Sequence, residues 1–336
     1  MRNTSIEDNI ANLTRQGILD GPTRIKRLNQ LSEHMGIDLW IKRDDEAGPS
    51  FGGNKSRQLE YYFGAAIAQG ADTILVTGAV QSNFVRLTAA IAASLNIKAV
   101  VQLEERVENP EPQYYETGNV LLNQLLGAEI RYFKDGNSED ADAALYAYAD
   151  QLQQQGRRPY VIALSGKTSP LGACGYFQCA KEIVEQSEQA FDHIIVGTGS
   201  GASHLGLAAG MKYYCPTTKV IGSCVRRPKS EQRQRLNRMA QQFNHLVDQP
   251  NYLNDADFHI WDGAFSPGYG KLSDKAGDAL NMMARKEGFI LDPVYTAKSF
   301  AAIPGLLTEG LIPSGSRVLF IHTGGLGRFL PIKKTF

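Results

Sequence analysis

The sequence predicts an α/β protein built on open, twisted, mostly parallel sheets. Short apolar runs recur along the chain, segments of helical period separate them, and small-residue turns follow several runs. Strands are read at Leu39–Lys42, Thr73–Thr77, Ala99–Leu103, Glu129–Phe133, Tyr160–Leu164, His193–Val196, Lys219–Cys224, Phe258–Trp261 and Arg317–His322. Most are nearly continuous apolar runs, as strands covered on both faces require. Between them, Leu59, Tyr62, Phe63, Ala66 and Ile67 fall at helical spacing, and Gly70 follows as a stop. Val85–Leu95 is apolar nearly all round, which predicts a deeply buried helix. At 336 residues, two sheets in two domains are expected rather than one.

Composition narrows the function classes. The chain is 43% hydrophobic and 21% charged, enough apolar residue for a sizeable core. Lys plus Arg equals Asp plus Glu at 35 each, so no net field attracts nucleic acid or an anionic membrane. The cysteines, Cys174, Cys179, Cys215 and Cys224, form neither a disulfide framework nor a metal-ligand spacing. No apolar run is long enough to span a membrane, and Arg2, Glu7, Asp8 and Arg15 do not make a secretory signal. The cytoplasm is the expected compartment.

Glycine-rich turns carry the candidate chemistry. Phe51-Gly52-Gly53-Asn54-Lys55-Ser56-Arg57 lies between a strand and a helix. Asn54 is expected to cap that helix, leaving Lys55 in its first turn. The helix dipole is positive there, which suits an amine that must lose its proton and attack an aldehyde. Read alone, the motif fits a solvated lysine beside a turn more readily. Gln81-Ser82-Asn83 opens the buried helix after Thr73–Thr77, where side chains either cap the helix or face an anionic ligand.

Gly197-Thr198-Gly199-Ser200-Gly201-Ala202-Ser203 also joins a strand to a helix. Its small residues leave backbone N–H groups open to a phosphate; the alternative is a tight structural turn. The dinucleotide spacing fails at Ala202 and no P-loop lysine follows, so one phosphate fits better than a pyrophosphate. Near the C-terminus stand Ser266-Pro267-Gly268-Tyr269-Gly270, Asp292-Pro293-Val294-Tyr295-Thr296-Ala297-Lys298 and His322-Thr323-Gly324-Gly325. Ligands collect at the carboxyl ends of strands, so Thr323 is placed to meet a ring. His322 is expected to be a satisfied strand-end histidine. A lysine at a helix start, a phosphate cup and polar strand ends together fit pyridoxal phosphate.

In this order, from about Gly21 to Gly325, the motifs resemble the D-cysteine desulfhydrase and aminocyclopropane-carboxylate deaminase family of fold-type II pyridoxal-phosphate enzymes. The resemblance implies a larger cofactor domain (residues 1–52 and 166–336), a smaller inserted one (53–165), a site between them and a homodimer. It implies a Schiff-base role for Lys55 beside Asn54, and a ring-oxygen contact for Asn83. Gly197, Thr198, Gly199, Ser200, Gly201 and Ala202 would hold the phosphate, and Thr296 and Thr323 would face the ring. Gln81, Ser82 and Asn83 would meet the substrate carboxylate, with Tyr269 and Tyr295 over the substrate. Lys55, Ser82, Tyr269 and Tyr295 are the catalytic candidates.

The substrate is expected to be a small sulfur-containing amino acid. Deaminase-like members carry glutamate where Thr296 stands, so the chain looks like the desulfhydrase side. D-cysteine would then give pyruvate, sulfide and ammonia. Two departures from the family bear on this. Phe84 replaces a usual histidine, and Lys167 replaces a small neutral residue. Lys167 is therefore a candidate substrate contact. With the basic run Cys224-Val225-Arg226-Arg227-Pro228-Lys229, it resembles L-cysteate sulfo-lyase members, for which sulfite is the product. The default for Lys167 and Arg226 is to face solvent. Aminocyclopropane-carboxylate deamination and a non-catalytic metabolite-binding protein are the remaining alternatives.

Overall fold

The apolar runs fold into two separate sheets in the computed structural model, which describes residues 5–107, 110, 112–134, 138–164 and 170–328. Chain order is α1 (Ile6–Ala11), β1 (Ile25–Arg27), α2 (Asn29–Met35), β2 (Asp38–Lys42), α3 (Asn54–Ala68), β3 (Thr73–Ala79), α4 (Asn83–Ser94), β4 (Lys98–Glu104), α5 (Asn119–Leu125), β5 (Glu129–Phe133), α6 (Ser138–Gln154) and β6 (Pro159–Ile162). Then follow α7 (Leu171–Glu185), β7 (His193–Thr198), α8 (Ala202–Tyr214), β8 (Lys219–Cys224), α9 (Lys229–Leu246), β9 (His259–Trp261), α10 (Asp274–Glu287), α11 (Thr296–Phe300), α12 (Ala302–Thr308) and β10 (Arg317–Ile321).

The larger sheet has the order β1-β2-β10-β7-β8-β9, and the smaller has β5-β4-β3-β6. All pairings are parallel except β1 with β2. Strand β1 escapes sequence reading because Lys26 and Arg27 are exposed and no apolar run marks it. Strand β7 runs two residues past its predicted end, so Gly197 and Thr198 pair with Ser223 and Cys224 of β8.

Side-chain alternation explains the unbroken apolar runs. In β10, Val318 and Phe320 pack with Phe300 and Ile303, whereas Leu319 and Ile321 pack with Tyr176 and Leu207. In β3, Ile74 and Val76 pack with Leu59 and Phe63, and Leu75 packs with Leu145. Each large side chain so buried contributes about 1.5–3 kcal/mol.

Helix α3 stands between the two cores. Leu59 and Phe63 belong to the core of the smaller sheet, while Tyr61 packs with Phe177 and Leu205. Of its residues at apolar spacing Ile67 is 42% exposed, whereas the polar Arg57, Gln58 and Glu60 are buried. Arg57 Nε donates to Asp44 Oδ2 at 2.9 Å, and Nη1 donates to Glu182 Oε1 at 2.7 Å. Lys42 Nζ donates to Glu182 Oε2 at 3.0 Å, and Tyr176 Oη donates to Asp44 Oδ2 at 2.6 Å. Burial opposes the charged form of Asp44, but the Arg57 guanidinium outweighs it and holds the carboxyl below its usual range. Gly175 lets α7 approach α3: a Cβ there would meet Arg57 O at 2.1 Å. These bonds fix the axis of α3, and with it the position of Lys55.

Candidate active site

A cavity of about 160 Å³ opens where strands of both sheets end. Gly78 and Ala79 of β3, Ala163 beyond β6, Gly199 beyond β7, Arg226 beyond β8 and Thr323 beyond β10 all line it. This is where parallel sheets collect ligands. Of the predicted site residues, Asn54, Lys55, Ser82, Asn83, Gly197, Gly199, Ser200, Gly201, Ala202, Tyr269, Tyr295 and Thr323 line one wall or another. Lys167 lies outside the described residues.

Lys55 occupies the first turn of α3, but Asn54 does not cap it. The cap is Gly53 at φ 124°, a backbone conformation that favours glycine. Asn54 is instead a tie: its backbone N–H donates to Thr323 O at 3.1 Å, and its Nδ2 donates to Ser203 Oγ at 2.9 Å. Gln58 Nε2 donates to the same hydroxyl at 2.9 Å. Arg86 of α4 donates to Ser50 O and to Gly52 O, which steadies the turn ahead of Lys55. Burial alone lowers the Lys55 amine from 10.5 to about 8. Its Nζ stands 5.9 Å from the centroid of Phe84, the apolar ring at the departure noted above. No carboxylate pairs with it among the described residues, so about half of it is neutral near pH 8.

The cup is formed by Gly199–Ser203. Helix α8 begins at Ala202 with no side-chain cap, and Gly201 before it has φ 100°. A Cβ on Gly201 would meet Met239 Sδ at 2.9 Å. The N–H groups of Ser200 to Ser203 have no protein acceptor among the described residues. The cup's outer carbonyls are taken by cations: Arg235 Nε donates to Ser200 O at 2.6 Å, and Arg227 Nη1 to Gly199 O at 2.9 Å. Open N–H groups, a helix N-terminus and two guanidinium groups make an anion site suited to one phosphate. Thr198 does not join it. It is fully buried in β7, and its Oγ1 accepts from Gln232 Nε2 at 2.8 Å.

Ser82 caps α4 through Val85 N–H at 3.3 Å, and Asn83 Oδ1 accepts from Asn119 Nδ2 at 2.9 Å. Gln81 does not line the cavity. Its Nε2 donates to Tyr114 O and Thr117 O at 2.7 Å and 2.9 Å, and its Oε1 accepts from Asn119 N–H at 2.8 Å. Thr296 is also off the wall: fully buried, it donates Oγ1–H to Asp292 Oδ2 at 2.8 Å. Asp292 accepts in addition from the N–H groups of Val294, Tyr295 and Thr296, which shapes the turn that presents Tyr295. His322 is a satisfied strand-end residue. Its Nδ1 accepts from Gly324 N–H at 3.3 Å, which leaves Nε2 to donate to Ile290 O at 3.2 Å.

Sequence reasoning missed several wall residues: Gln58, Tyr62, Arg106 and Arg235. The expectation that Arg226 faces solvent is overturned. It lines the cavity half-buried, with no hydrogen bond or ion pair among the described residues, and burial beside Arg106 disfavours its charge. Arg106 is held by Glu104 at 2.6 Å. The readable signal was position: Arg226 follows directly on the carboxyl end of β8, where cavity residues gather.

The model of the pyridoxal-phosphate dependent enzyme family matches residues 18–324. The chain belongs to that family. D-cysteine desulfhydrase of Salmonella typhi is 37% identical over 310 residues, 92% of this chain and 93% of the relative. D-cysteine desulfhydrase of Salmonella newport (strain SL254) gives the same identity and coverage. Among solved structures, the ACC deaminase homologue superposes with a TM-score of 0.85 at 33% identity, covering 97% of this chain and 96% of that one. O-ureido-L-serine synthase, at a TM-score of 0.64 and 16% identity, shares the fold. The fold is therefore type II, and the cofactor is pyridoxal phosphate. The donor set fits it: a desolvated amine for the aldehyde and an anion cup for the phosphate open on one cavity.

Proposed function

We propose that the chain removes a sulfur substituent from a small amino acid by α,β-elimination, with D-cysteine as substrate. D-cysteine and water give pyruvate, hydrogen sulfide and ammonia. The observation that carries this reading is the buried Lys55 amine, lowered to about 8, in the same cavity that the cup lines. Bound pyridoxal phosphate supplies an electron sink for the charge that develops at Cα.

The chain's own groups do the rest. Lys55 Nζ moves the proton at Cα, and its lowered basicity gives a larger neutral fraction than an ordinary lysine has at the same pH. Ser82 and Asn83, at the start of α4, hold the substrate carboxylate with the positive end of the helix. The hydroxyls of Tyr269 and Tyr295, 2.8 Å apart on the cavity wall, return a proton to the departing sulfur.

Arg226 favours a second reading, L-cysteate with sulfite as the leaving product. A cavity cation that has no hydrogen bond or ion pair among the described residues suits a sulfonate, which a thiol does not supply. Assays of sulfide and sulfite release from both enantiomers of cysteine and of cysteate decide the matter. Sulfide from D-cysteine is expected; sulfite from L-cysteate with no sulfide moves the assignment to the second reading. Release of neither from any of the four sinks both.

A further inference from the structure

Lys298 is a buried cation that the elimination does not use. It lies in α11, three residues beyond Tyr295, and is fully buried. Its Nζ donates to Phe265 O at 3.1 Å and to Gly268 O at 2.7 Å, and stands 5.7 Å from the Phe265 ring centroid. No carboxylate pairs with it among the described residues. A buried ammonium without a counter-ion is costly, and an apolar side chain would fill the same space without that cost. What the ammonium alone does is hold two carbonyls of one turn. That turn carries Tyr269, and the helix that supplies the ammonium begins just after Tyr295.

We propose that Lys298 is a positioning residue: a tethered cation that ties the Phe265–Gly268 turn to α11 and so sets Tyr269 against Tyr295. The inference rests on the proton-transfer role proposed for the tyrosine pair. It is tested on the holoenzyme with Lys298→Ala, Tyr269→Phe and the double variant, each checked for folding and cofactor absorbance. Activity is measured in ammonium chloride and in choline chloride at equal ionic strength.

Lys298→Ala is expected to lower kcat/KM about tenfold or more, since small misplacements of reacting groups are costly. Ammonium, small enough for the vacated space, is expected to restore part of the loss where choline restores none. In the Tyr269→Phe background the same substitution is expected to change kcat/KM less than twofold. Parent activity in a folded Lys298→Ala enzyme overturns the proposal, as does an equal loss in both backgrounds. A Tyr269→Phe enzyme with parent activity removes the tyrosine reading and this one with it. If Lys298→Ala does not fold, Lys298→Gln, which keeps a donor for the carbonyls, is judged by the same cycle.

Discussion

The hydroxyls of Tyr269 and Tyr295 are 2.8 Å apart, and their ring centroids are 6.2 Å apart. The two residues come from different turns, so the pair exists only when both are fixed. One phenol lowers the cost of moving a proton from the other. Replacing either by phenylalanine is expected to reduce kcat about a hundredfold, the scale of a lost general acid. The cofactor absorbance is expected to stay unchanged. Steady-state kinetics with an absorbance scan of each variant checks this; a lost absorbance band in the tyrosine variants contradicts it.

Lys55→Ala is expected to abolish both turnover and the absorbance band near ~420 nm that marks a Schiff base. Borohydride should fix the cofactor to the parent chain and not to the variant. Mass spectrometry of the treated proteins reads the difference directly.

The Lys55 amine also predicts a pH dependence. Its value falls from 10.5 to about 8 on burial, so the reactive neutral form dominates above that value and is lost below it. Uptake of pyridoxal phosphate by the cofactor-free protein is expected to slow about tenfold per unit below pH 8, hence about a hundredfold at pH 6. A stopped-flow profile that is flat across this range contradicts the assignment.

Arg57→Met is expected to destabilise the protein by about 3–5 kcal/mol, because Asp44 and Glu182 are left without their guanidinium. Urea unfolding at neutral pH measures it. The sign of the acid response follows from Asp44, whose folded-state carboxyl lies below its ordinary range. That contribution is complete above the unfolded value and disappears as pH falls through the folded one. The gap between parent and variant should therefore narrow in acid.

Arg226→Ala is expected to separate the two substrate readings. It should lower kcat/KM for cysteate tenfold or more, in keeping with a lost charge-assisted bond, and leave cysteine within about twofold. Equal effects on both substrates would show that the guanidinium does not face the leaving group.

The strands were legible because burial on both faces writes itself as unbroken apolar runs; Val318–Ile321 and Ile74–Val76 are examples. That Lys55 and, of the Gly197–Ala202 loop, all but Thr198 line one cavity was legible because small residues between a strand and a helix carry a local physical meaning. Gln81 and Thr296 were misread for the same reason in reverse. Each is polar and near a strand end or turn, yet its partners, the Tyr114–Asn119 segment and Asp292, consume its hydrogen bonds. Arg57 was illegible because its carboxylates lie 13 and 125 residues away. No local pattern announces that an arginine in a helix will be fully buried.

Asn54 adds an effect in time. Its backbone N–H meets the carbonyl of Thr323, a residue almost the whole chain away. A ribosome must finish β10 before that acceptor exists. Until then the turn ahead of Lys55 lacks this tie, so the wall of the cavity is closed only when the last strand in chain order is in place.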